Sequence, residues 1–288
     1  MASVRLSQFL KSLIAAPHAR GGPVSAPPQA VTTRLFERLA SEGEKRGVGE
    51  AGWLTLGTAT LVTVNSPEAL CALYSFAAKR AQGQKDETER KVRYAAIMRE
   101  VGLKTISFSG IPRAINNLGA LRAHLEPEIA SALPTSPTRE PTPTSLPSIS
   151  SSAHSLWTSI YQPHHTKLIA KLAQSHPDLP VHILTSHYGP LLSDPPSAPT
   201  VKGAKVGRIL TSVVAIACLR AQGGVGPQVT SHVFGLLKAA GEEGEGEVQG
   251  AGFLTSEEGA RWVVEQVDAI VEAVTRGEGS TFGTRAKL

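Results

Sequence analysis

An all-α protein is what this sequence predicts, and three observations predict it. Apolar residues make up 41% of the 288 positions, enough for a sizeable core, while aromatics reach only 5%. Ala, Leu and Val fill the difference, whereas a β-sandwich or barrel draws more on aromatic and β-branched side chains. Apolar positions recur at helical spacing through both halves of the chain. Helix-start signals recur as well, as at Ser66-Pro67-Glu68, where Pro takes the first helical position.

The elements follow in order. Residues 1–30 form an N-terminal segment in which Leu6, Phe9, Leu10, Leu13 and Ile14 share one face of an amphipathic helix that stops near Pro17. An N-terminal helical half, 31–132, holds a helix beginning at 34–40, a buried one at 53–64, and another at 68–81. An amphipathic helix at 87–101 comes next, and 111–125 follows Gly110. Residues 133–153 turn to Pro, Ser and Thr with almost nothing to bury (PTSPTREPTPTSLPSISSS), the composition of a disordered or extended linker. A C-terminal half, 154–276, has helices at 164–173, 207–221, 227–240 and 256–274. A polar loop at 193–200 and an acidic, Gly-rich one at 241–252 interrupt it. Residues 277–288 make a flexible tail.

The halves echo each other. Leu54-Thr55 and Ala59, then Ser66-Pro67-Glu68 and Lys79, recur as Leu210-Thr211 and Ala215, then Gly226-Pro227-Gln228 and Lys238. Each run is a buried helix, a turn and a Pro-started helix. The expected architecture is therefore two related helical-hairpin units about a pseudo-twofold axis.

Composition also excludes. The net charge of +5 is modest, and its Lys and Arg residues form no stripe with aromatics, so no nucleic-acid partner is expected. Two cysteines, Cys71 and Cys218, lie in apolar stretches without a CxxC; they read as buried free thiols, the candidates for any thiol chemistry. The longest apolar run, 209–219, is too short for a bilayer, which takes about 20 residues, so no membrane span is expected.

Two addresses compete. The terminal Ala286-Lys287-Leu288 differs from the peroxisomal Ser-Lys-Leu signal by one small residue for another, so the peroxisome is the expected location and its import receptor the expected partner. Residues 1–36 lack Asp and Glu but carry Arg5, Lys11, Arg20 and Arg34, the pattern of a mitochondrial transit peptide, and the mitochondrion is the alternative.

Chemistry concentrates at residues 208–241. The turn Gly223-Gly224-Val225-Gly226-Pro227 opens a helix on which Val229, His232, Val233 and Leu236 share one face. The amides of Gly224 and Gly226, with Gln228 and Ser231, can hold an oxyanion at such a helix start. His232 is the candidate acid/base, and Arg113 or Arg220 the candidate holder of a substrate carboxylate. A lone His on an apolar face is commonly a satisfied core residue; the glycine turn beside it singles this one out. His164, His165, His176, His182 and His187 read as loop and surface residues, and no metal site is predicted.

This same run, with Gly110-Ile-Pro-Arg-Ala-Ile-Asn-Asn-Leu-Gly-Ala-Leu121, resembles the alkylhydroperoxidase D (AhpD) / carboxymuconolactone decarboxylase superfamily, in particular fungal AhpD-like proteins. The resemblance implies an all-helical AhpD-like fold and a homo-oligomer. Thiol members of that family reduce peroxide through a CxxC relayed by His and Glu. His232 matches the family histidine, but Val225 and Gln228 stand where the cysteines would be and Val213 where the glutamate would be. In the first half Glu68 and Cys71 stand at the matching helix start, with Ala72 in place of the histidine. Dithiol peroxidase activity is therefore not expected. The decarboxylase branch, which needs no cysteine pair, implies a small organic acid or acyl substrate, no cofactor, and His232 as acid/base with Gln228. The alternative is a non-catalytic oligomeric or ligand-binding protein of the same fold.

Overall fold

A computed structural model describes residues 5–16, 22–195, 201–242 and 247–277, and among them there are helices and connecting segments but no strand. Helix α1 (Gln8–Ile14) begins where the Ser7 hydroxyl accepts from the Leu10 amide at 3.1 Å. It buries none of its residues, and Leu6, Phe9, Leu10, Leu13 and Ile14 stay exposed. The amphipathic helix thus forms without docking on the body of the protein. The terminal Ala286-Lys287-Leu288 lies outside the described residues.

The N-terminal half continues with α2 (Gln29–Lys45), α3 (Glu50–Thr63), α4 (Pro67–Ala81), α5 (Glu87–Lys104), α6 (Ile106–Ser109), α7 (Ile111–His124) and α8 (Pro127–Ala132). Pro67 occupies the first position of α4, where its missing N–H costs nothing. Helix α9 (Leu146–Tyr161) starts inside the stretch whose composition reads as linker. Ala153, Trp157 and Ile160, spaced to share one helical face, are buried and hold its second half down. Then come α10 (His165–Ser175), α11 (Asp178–His182) and a π helix, Ile183–Leu192, that carries Pro190 within it. The chain ends with α12 (Arg208–Gln222), α13 (Gly226–Leu237), α14 (Ala251–Leu254) and α15 (Glu257–Thr275).

Helices α3 and α12 sit at the centre. Every residue of α3 from Gly52 to Thr63 is buried, and α12 is buried from Ile209 to Leu219, so both are apolar all round. They pack on each other, and α15 covers both. α15 is amphipathic, with Val263, Val267, Ile270 and Val274 inward; each such buried side chain contributes roughly 1.5–3 kcal/mol. Ser256 caps it by accepting from Gly259 N–H at 3.0 Å. Leu35 of α2, Leu70 of α4, Met98 of α5, Leu210 of α12 and Ile270 of α15 all belong to one hydrophobic cluster, so the two halves share a single core. A smaller cluster joins α9 to the π helix through Trp157, Ile160, Leu184 and Tyr188. No described helix is long and apolar enough to cross a membrane.

Candidate functional site

Gly223 and Gly224 adopt φ of 73° and 74°, a left-handed conformation that ends α12 and turns the chain into α13. That turn aims the Val229/Val233/Leu236 face of α13 inward, and His232 goes with it to 4% exposure. The imidazole Nε2 lies 3.1 Å from the Tyr161 hydroxyl, which lies 2.8 Å from the Tyr188 hydroxyl. Each hydroxyl proton is used once if Tyr188 donates to Tyr161 and Tyr161 donates to Nε2; the ring proton then sits on Nδ1. Nδ1 is buried with no hydrogen-bond partner among the described residues. Phe108 meets the imidazole edge-on at 5.7 Å between centroids, and Trp157 packs on Tyr161 at 4.2 Å with the rings tilted by 46°.

Electrostatics keeps this ring neutral. Burial, with the nearby Arg208 charge, lowers the His232 pKa to about 4. Burial raises the Tyr161 and Tyr188 hydroxyls above their ordinary range, so they stay protonated. Arg208 is fixed by the Ser159 hydroxyl at 2.6 Å, the Gly235 carbonyl at 2.7 Å and Glu242 at 3.4 Å. The result is a closed, uncharged chain of Tyr, Tyr and His beside one anchored guanidinium. A base with so low a pKa is weak near neutral pH, and among the described residues no carboxylate touches the ring to strengthen it.

The other sequence candidates do not gather around it. Gln228 is exposed at the solvent side of α13, and Gly224 and Gly226 lie exposed with open space where a side chain would stand. The Ser231 hydroxyl donates to the Pro227 carbonyl at 3.0 Å. Arg113 donates to the Thr63 carbonyl at the end of α3. Arg220 makes a two-point pair with Asp268 of α15, 2.7 Å at each contact, so a carboxylate of its own chain already occupies it. Cys71 is half-buried and Cys218 fully buried, with Cys218 Sγ donating to the Ala59 carbonyl at 3.8 Å. Burial pushes both thiols up to about 11, and Glu68 adds to the rise at Cys71. Among the described residues no three His, Cys, Asp or Glu side chains form a metal-holding group. His182 and His187 do meet, ring to ring at 5.4 Å.

Solvent reaches the interior somewhere else. A groove of about 1650 Å³ runs between α5, the end of α7, residues 134–140, residues 201–207 and the start of α12. Ala96, Leu103, Leu118 and Ile209 give it apolar walls; Arg99, Arg122 and Arg208 bring cations to them. His232 is not on these walls. Arg208 is, so one guanidinium borders both the groove and the buried tyrosine pair. Nothing in local sequence pattern marks Arg99 or Arg122, because the groove exists only once α5, α7 and α12 are assembled. Tyr161, the partner of His232, and Tyr188, which bonds Tyr161, were equally hidden as a chain leading to the imidazole, lying in elements far from α13 in sequence.

Comparison with protein-family models, with curated proteins and with solved structures finds no match.

Proposed function

We propose that this chain is a peroxisomal matrix protein of the AhpD/carboxymuconolactone decarboxylase-like kind. In this reading it holds a small organic acid or acyl compound in its groove and does not convert it at His232. The observation that supports this reading is the contrast between a groove of about 1650 Å³, lined by apolar side chains and by both basic and acidic ones, and an imidazole at 4% exposure that is not among its lining residues. A ligand of that class has somewhere to lie, and the candidate acid/base does not reach it. The two-unit architecture belongs to the same proposal: α3 leads into the Pro-started α4 as α12 leads into Pro227 of α13, and the first helices of each pair pack together.

A second reading, acid/base catalysis at His232, has one observation in its favour, the unpartnered Nδ1. A buried nitrogen left without a bond is costly in a purely structural residue.

One experiment separates them. Short- and medium-chain carboxylic acids and acyl esters are screened by thermal shift against the wild type and His232→Gln, with product analysis of the same mixtures. Binding that raises the melting temperature alike in both proteins, with no product, is expected. Turnover by the wild type that His232→Gln abolishes would overturn the proposal in favour of catalysis. The location is tested by fusing a fluorescent protein to each end in turn: punctate peroxisomal signal is expected only with a free C-terminus, and signal that survives blocking that end would sink the address.

A further inference from the structure

At Gly102 a β-carbon would stand 2.7 Å from Leu118 Cδ2, so the missing side chain is what lets α5 and α7 come together. Arg99 lies one turn before Gly102 and Arg122 one turn after Leu118. In a hairpin folded back through α6, those two positions fall side by side on the groove wall. Burial, and then the Arg122 charge, hold Arg99 below its ordinary pKa, which places the two guanidiniums within electrostatic reach.

Neither has an anionic partner among the described residues. Arg99 donates only to the Pro134 carbonyl, at 3.3 Å from each terminal nitrogen, and Arg122 is exposed with no bond. Most of the carboxylates nearby are engaged elsewhere. Glu100 takes Arg139, Asp194 faces Lys104 and Lys205, and Glu242 faces Arg208. Glu126, one turn beyond Arg122, accepts from Tyr74 at 2.8 Å and pairs with Lys91. Glu140, also on the groove, pairs with neither arginine. Guanidinium does not shed its proton, so both positive charges persist at ordinary pH and an anion seated between them would offset their repulsion. Leu103 and Leu118, beside them, offer apolar surface to whatever carries that anion.

We propose that Arg99 and Arg122 together clamp the carboxylate of an organic acid whose apolar tail lies against Leu103 and Leu118. The proposal rests on the groove reading given above and adds the residues that recognise the head group, and with them a preference for a carboxylate on a hydrocarbon tail over neutral or tailless compounds.

The test is calorimetric titration of the full chain with decanoate, decanamide and acetate. Decanoate is expected to bind about tenfold or more tightly than decanamide, the scale of a charge-assisted contact, and acetate weakly. Arg122→Gln, which removes no hydrogen bond or ion pair among the described residues and takes a like charge away from Arg99, is expected to bring decanoate down to the decanamide level with a melting temperature no lower than that of the wild type. Arg99→Gln should do the same; because Arg99 also holds the Pro134 carbonyl, Arg122→Gln decides if that variant does not fold. Equal binding of decanoate and decanamide, or a preference that survives Arg122→Gln, overturns the clamp and leaves the groove reading standing. Acetate binding as tightly as decanoate overturns the role of the tail. Failure of both long-chain compounds to bind removes the groove reading and the clamp together.

Discussion

Keeping an imidazole neutral in the interior ties stability to pH. The His232 pKa falls from 6.5 to about 4 in the folded protein, mainly through burial. Between those values the unfolded chain binds the extra proton and the folded chain does not, so this residue makes stability rise as pH climbs from about 4 to 6.5. His232→Gln keeps a group able to bond Tyr161 and titrates nowhere in that window. Urea unfolding at stepped pH should give a flatter acid limb for His232→Gln than for the wild type; an unchanged limb would mean that the ring is charged in the native state. The inward direction of this residue was legible, because Val229, Val233 and Leu236 mark its face of α13. Its partner was not. Tyr161 lies 71 residues earlier, and no local pattern tells one tyrosine from another.

At the level of elements, backbone contacts decide more than propensity does. Gly259, in the first turn of α15, packs so closely on the preceding turn that an added β-carbon would come 1.9 Å from the Phe253 carbonyl oxygen. Gly259→Ala is expected to lower stability by about 3 kcal/mol, at the upper end of overpacking effects, read as a lower urea midpoint; a midpoint within error of wild type would contradict this packing. Helix α15 itself reads at 256–274 in the sequence, within a residue of its observed Glu257–Thr275. Helix α9, Leu146–Tyr161, is missed from sequence: 133–153 reads as linker and the next helix is placed at 164–173. The first turns of α9 are serine-rich and continue the Pro/Ser/Thr composition before them, while Ala153, Trp157 and Ile160 carry the helical spacing only in its second half. Propensity is a weak prior there, and burial against the π helix overrides it. The π helix with Gly189 and Pro190 gave no periodic signal, since its residues follow neither the α-helical nor the strand repeat.

Across the whole molecule, one fully buried cation ties distant segments together. Lys104, at the end of α5, donates to the carbonyls of Leu192 and Val206 at 2.7 and 2.6 Å and to Thr211 Oγ1 at 2.8 Å. It thereby joins the end of the π helix, the groove wall and the start of α12. Burial lowers its pKa from 10.5 to about 8; Glu100 and Asp194 oppose that shift and Arg139 favours it. From about pH 8 to 10.5 the unfolded chain holds the proton that the folded one has released, so Lys104 makes stability rise with pH there. Subtracting the Lys104→Met profile from the wild-type profile, measured by chemical unfolding, should leave that rise; a flat difference would show that the ammonium is not desolvated. The helical class, the centrality of α3 and α12 and the inward side of α13 were determined by the sequence itself, because each depends on residues within a few turns of one another. The tyrosine chain on His232, the Arg99–Arg122 pair, the groove and the three acceptors of Lys104 were decided only by tertiary structure. Each needs side chains from separate elements at hydrogen-bond or charge range, and that proximity is set by packing, not by spacing along the chain.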